Sequence, residues 1–86
     1  MARFIAVHTM PMNEEQFMAM LKNLPAIPAG TTYKQTYCDF QDGKFFCEWE
    51  GTNKEIIEQG FKANNIPYDA VYPVRVFNIA KMSFED

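Results

Sequence analysis

Asp42-Gly43, set between apolar-rich runs at residues 33–40 and 45–49, constrains this chain more than any other feature. An Asp-Gly pair in that setting favours a two-residue type I′ hairpin loop, because both central residues need positive φ. Such a loop pairs Gln41 with Lys44, Phe40 with Phe45, Asp39 with Phe46, Cys38 with Cys47, Tyr37 with Glu48, Thr36 with Trp49 and Gln35 with Glu50. Alternation then deals the side chains to two faces. Thr36, Cys38, Phe40, Phe45, Cys47 and Trp49 form a face that reads as core. Tyr33, Gln35, Tyr37, Asp39, Phe46, Glu48 and Glu50 form the other, too polar for a core and too aromatic for an ordinary wet surface. Function is sought on that second face.

The flanking segments complete a fold. Residues 3–10 alternate with β-branched and aromatic content until Pro11 stops them, which predicts a first strand. Asn13 with Gln16 forms a capping box, and Glu14 and Glu15 suit the positive end of a helix whose stripe is Phe17, Met20, Leu21 and Leu24. The segment 25–30 ends that helix. Thr52 with Glu55 repeats the capping logic for a second helix, with Ile56, Ile57, Gly60, Phe61 and Asn64 as its buried stripe and Gly60 close to the sheet. Residues 71–79 read as a last strand, which Pro73 demotes to a sheet edge. The order strand, helix, strand, strand, helix, strand predicts an α+β, ferredoxin-like βαββαβ fold: a four-stranded antiparallel sheet with both helices on one face. Residues 1–86 read as a single domain, with 81–86 a short tail able to cross to a partner subunit.

A domain of 86 residues buries one modest core, so self-association through the uncovered, aromatic-rich sheet face is expected. The formal charge of -3 and the lack of a basic cluster argue against nucleic acid. Polar residues interrupt the N-terminal apolar run before a signal-peptide core forms, and nothing reads as a membrane span, so a cytoplasmic location is expected. The two cysteines accordingly read as buried free thiols; a redox-dependent bridge between them is the alternative reading.

The first strand splits into Ile5, Val7 and Thr9 against Phe4, Ala6 and His8. The β-branched set suits the covered core, which sends His8 to the open face beside Glu48 and Glu50, with Tyr37, Gln35 and Asp39 beyond. The last strand adds either Arg75 and Phe77 or Val74, Val76 and Asn78. Imidazole with carboxylates suits a borderline divalent metal such as nickel, zinc, cobalt or copper. A Cys-His nucleophile pair is disfavoured, because this sorting puts both thiols on the face opposite His8. The methionines of the first helix read as adaptable packing.

Three runs carry a family resemblance: Val7-His8-Thr9-Met10-Pro11, the stretch from Asp42 to Gly51 with Cys47-Glu48-Trp49-Glu50-Gly51 at its heart, and the stretch from Asn65 to Val74. Together they resemble a family of small bacterial nickel-binding, ferredoxin-like proteins. The resemblance implies a homodimer packed sheet on sheet, with a divalent metal near the interface. His8 and Glu50 fall at matching motif positions, and the face argument adds Glu48. The chain departs from the family in its single histidine, so one subunit does not complete a His-rich site. The expected function is binding of a divalent metal, nickel foremost, for sequestration or sensing. The alternative is a small-ligand protein or cofactor-free enzyme of the dimeric α/β-barrel kind, with Tyr33, Tyr37 and Phe46 as cleft walls and His8 or Glu50 as proton carrier.

Overall fold

The computed structural model describes residues 2–24 and 26–85. Its elements run β1 (Ala2–Thr9), α1 (Glu14–Lys22), β2 (Thr32–Asp39), β3 (Lys44–Gly51), α2 (Lys54–Ala63), β4 (Ala70–Val74), β5 (Phe77–Asn78) and β6 (Ser83–Phe84). The first four strands form an antiparallel sheet in the order β2-β3-β1-β4, and both helices cover one face. This is the α+β, ferredoxin-like arrangement expected from the element order. β4 lies at an edge, where Pro73 withholds no needed donor.

Local signals set most boundaries. Asn13 caps α1 by accepting from Gln16 N at 2.8 Å, and the Gln16 side chain returns the bond to Asn13 N at 2.8 Å. α2 begins one residue later than expected: Asn53, not Thr52, is its cap, accepting from Ile56 N at 3.0 Å. The stripe of α2 buries Ile57 and Phe61 against Phe4, Ala6, Cys47, Trp49 and Val71, while Asn64 caps the helix and stays exposed. Gly60 approaches Pro28 of the α1–β2 connection rather than the sheet, and a Cβ there would lie 2.8 Å from Pro28 Cγ.

The hairpin is longer than a two-residue loop. Asp39 pairs with Lys44, Cys38 with Phe45, Tyr37 with Phe46, Thr36 with Cys47 and Gln35 with Glu48. Asp39 Oδ1 accepts from both Gln41 N and Asp42 N at 3.1 Å, which stabilises a wider turn in which Gly43 alone takes positive φ, at 66°. The pairing is thus displaced by two residues, and an even displacement keeps the two faces of residues 35–50 as expected. A bulge between Tyr33 and Gln35 then turns Tyr33 over to pair with Trp49 on the covered face, not the open one. Cys38 is exposed on its edge strand and lies opposite Phe45, so neither its burial nor a cross-strand bridge to Cys47 holds.

The expected last strand is cut short. β4 ends at Val74, and residues 77–84 turn back as the β5–β6 hairpin, fastened by Glu85 N donating to Val76 O at 2.9 Å and by Arg75 over the Phe84 ring at 4.0 Å. The tail up to Glu85 therefore packs on its own chain; Asp86 lies outside the described residues.

β1 faces the other way from expectation. Register places Phe4 opposite Trp49, Ala6 opposite Cys47 and His8 opposite Phe45, so these three lie beneath the helices, while Ile5 pairs with Glu48 and Val7 with Phe46 on the open face. Phe4 and Ala6 fill the core, at 4 % and 0 % exposure, and His8 is buried at 3 %. The β-branched preference yields to packing: Phe4 and Ala6 join Cys47, Trp49, Ile57, Phe61 and Val71 in one buried cluster.

Candidate functional site

The seat of His8 is built by the end of α2. Asn65, at φ 56°, closes the helix in a Schellman motif in which Ile66 N donates to Phe61 O at 2.8 Å and Asn65 N to Lys62 O at 3.3 Å. The reversed chain is tied to β1 by Asp69 N donating to Val7 O at 2.7 Å. That lays the Pro67 carbonyl 2.8 Å from His8 Nδ1. A carbonyl only accepts, so Nδ1 carries the proton and Nε2 keeps the lone pair. The Cys47 thiol lies on the same covered face, close enough for imidazole and thiol to shift one another's pKa. Phe61 meets the imidazole edge-on, with centroids 5.0 Å apart.

Cys47 has three polar neighbours. Thr36 Oγ1 donates to its Sγ at 3.4 Å, the Tyr33 hydroxyl lies 3.5 Å away, and the two hydroxyls contact one another. Burial raises the thiol's pKa, but the bonds from His8, Thr36 and Tyr33 and the charge of His8 more than offset it, holding Cys47 below its ordinary value. For His8, burial acts downward, yet the Cys47 and Pro67 bonds and the charges of Cys47 and Asp69 raise the imidazole above its usual value. Burial and the Cys47 contact push the Tyr33 phenol up. Cys38, by contrast, is raised, first by desolvation and then by the charge of Cys47. His8 and Cys47 thus shift in opposite directions, each favouring the charged form of the other.

This pair forms part of the floor of a cavity of about 290 Å³ between the sheet and both helices. Met10, Phe17, Met20 and Leu21 line it from the α1 side, with Ile57 and Phe61 opposite. The expected α1 stripe thus faces inward, but none of its residues is buried.

The residues expected to form one site are divided between two faces. Glu48 stays on the open face, where Gln35 Nε2 donates to it at 3.0 Å, the Tyr37 hydroxyl at 3.3 Å, and Arg3 Nε lies 3.6 Å away. Glu50 pairs with Lys34 at 3.5 Å. Gln35, Tyr37, Asp39 and Phe46 share that face, whereas Tyr33 and His8 lie beneath the helices. His8, Glu48 and Glu50 therefore do not converge within one chain, and no cluster of three or more His, Cys, Asp or Glu suited to a metal occurs among the described residues. The Cys-His pair disfavoured from the sequence is present instead, because β1 is turned over relative to β3. Its one legible signal was the spacing of His8 and Ala6, which share a face on alternation alone.

No helix among the described residues is long and apolar enough to cross a membrane. No curated protein matches the sequence. The fold is similar to the crystal structure of SCO4226 from Streptomyces coelicolor A3(2), with a TM-score of 0.65 at 20 % identity, over 85 % of this chain and 95 % of that one. The family model described as nickel responsive protein SCO4226-like matches residues 4–74, which takes in His8, Cys47, Pro67 and all of the four-stranded sheet except Ala2 and Arg3, and the chain belongs to that family.

Proposed function

We propose that this protein binds nickel, or a closely similar late divalent metal, through Cys47 and His8 on the covered face, in a sequestering or sensing role. One observation carries the reading: the imidazole donates through Nδ1 to the Pro67 carbonyl at 2.8 Å, which leaves the Nε2 lone pair as its donor on the buried face it shares with Cys47. Metal-ligating histidines are commonly fixed by such a bond on the other ring nitrogen. A sulfur and an imidazole nitrogen fit a borderline metal by donor chemistry, and the Met10 and Met20 thioethers line the same cavity. The family's description as nickel responsive supports the same reading. Glu48 and Glu50, already engaged with Arg3 and Lys34, are not needed in this donor set.

Nickel titration followed by native mass spectrometry and near-ultraviolet absorption tests it. Wild type takes up nickel with a sulfur-to-metal charge-transfer band; Cys47→Ala loses both, and His8→Ala loses uptake, while the Glu48→Gln, Glu50→Gln double variant retains them. Uptake that survives Cys47→Ala and disappears in the double variant would return the site to the open face.

We also propose that the chain pairs with a second copy through the open sheet face. Tyr37, Phe46 and Tyr72 are exposed there at 54 %, 37 % and 56 %. Apolar area of that kind favours burial against a partner. Sedimentation equilibrium should read a dimer that Phe46→Glu dissociates; a monomeric wild type refutes it.

A further inference from the structure

The cavity between helices and sheet is far larger than a metal ion and a few waters require. An apolar cavity of about 150 Å³ accommodates benzene. At about 290 Å³ this one has nearly twice that space. Two props hold it open. At one end Phe17 of α1 stacks on Phe45 with centroids 5.4 Å apart and meets Phe40 edge-on. At the other the α1–β2 connection rests on α2 where Pro28 meets Gly60, too close for any side chain. Between these props Met20 and Leu21 face the gap without being buried. Among the described residues the lining contains no Asp, Glu, Lys or Arg. A charged guest would therefore lose its hydration with no carboxylate, ammonium or guanidinium to receive it, and the two groups of the lining that can carry charge, His8 and Cys47, already favour one another.

We propose that this cavity is a binding site for a small, neutral, predominantly apolar molecule of about two fused rings. The molecule lies against Met10, Phe17, Met20 and Ile57, and it supplies the packing that α1 lacks. The site shares its floor with Cys47 and His8 but does not depend on a metal there.

Tetralin is a suitable probe, titrated into the 86-residue protein labelled with ¹³C at the methionine methyls. Wild type should bind it at one site with a dissociation constant on the order of 100 µM. The Met10 and Met20 methyls should shift saturably, while those of Met18 and Met82, exposed at 52 % and 71 %, stay in place. Met20→Trp fills the space and should weaken binding at least about tenfold, because the larger ring occupies the volume the guest would take. Leu21→Trp serves the same purpose if Met20→Trp does not fold. The anion 2-naphthoate should bind at least about tenfold more weakly than tetralin. Absence of saturable shifts at Met10 and Met20, unchanged affinity in a folded tryptophan variant, or equal affinity for 2-naphthoate would each overturn the proposal. The titration is made on protein stripped with EDTA. Tetralin binding without nickel uptake would then leave this site standing and remove the metal reading, and the reverse result would do the opposite.

Discussion

Gly43→Ala should destabilise the fold by about 2 kcal/mol, and the structure separates two causes. Gly43 has φ 66°, a region in which an L side chain costs roughly 1–2 kcal/mol, less about 0.4–1 kcal/mol recovered from the stiffer unfolded chain. The second cause is contact: a Cβ at Gly43 would stand 3.0 Å from Met10 O and 3.3 Å from Met10 C. Those atoms are backbone, and Met10 N donates to Gly43 O at 2.8 Å, so neither side yields without straining that bond. Losing much of it costs about another 1 kcal/mol. Gly30→Ala isolates the first cause, because φ there is 83° and nothing lies within 4 Å of the added Cβ. Urea unfolding should therefore show about 0.5–1 kcal/mol lost in Gly30→Ala and about 2 kcal/mol in Gly43→Ala at unchanged m. In thermal unfolding, the difference of about 1 kcal/mol separates the variants by roughly 4–8 °C. Equal losses would refute the claim that the hairpin loop latches the end of β1, two residues beyond His8.

Phe17→Ala removes the ring that stacks on Phe45; since Phe17 is half-buried, the loss should be roughly 2 kcal/mol rather than the 3–5 kcal/mol of a fully buried ring. Met18→Ala, on the exposed side of α1, should stay within about 0.5 kcal/mol by the same urea assay. The iodoacetamide rate, followed by mass spectrometry against pH, should bend at lower pH for Cys47 than for Cys38, since the first thiol is lowered and the second raised. In His8→Ala the Cys47 bend should move upward, because the imidazole's bond and charge are lost while burial remains; an unmoved bend would refute the pair.

Much of this architecture is written in local chemistry. Asn13 with Gln16, Pro73 at an edge and Asn64-Asn65 at the end of α2 each act through the backbone within a few residues, so sequence alone locates the first four strands, the two helices and their order, though not the β5–β6 hairpin. The two faces of residues 35–50 were legible for a related reason: alternation is rigid, and the unexpected lengthening of the turn displaced the pairing by an even number. The bulge beside Lys34 broke that parity and carried Tyr33 to the covered face, with no single residue announcing it.

The site belongs to the tertiary structure. Phe4-Ala6-His8 and Ile5-Val7-Thr9 are both plausible inner faces of β1, and β propensity points to the second. Packing chose the first: Phe4 and Ala6 fit between the strand residues and α2, and Pro67, brought back by the Schellman turn, gives the buried imidazole a partner. Sequence determined where the two helices and the strands of the main sheet lie, because those preferences are set by near neighbours, but it determined neither the width of the β2–β3 turn nor the β5–β6 hairpin. Whether His8 would meet two carboxylates or one thiol was decided by how one strand rolls against the next, which depends on volumes and hydrogen-bond partners supplied by residues 39 to 59 positions away.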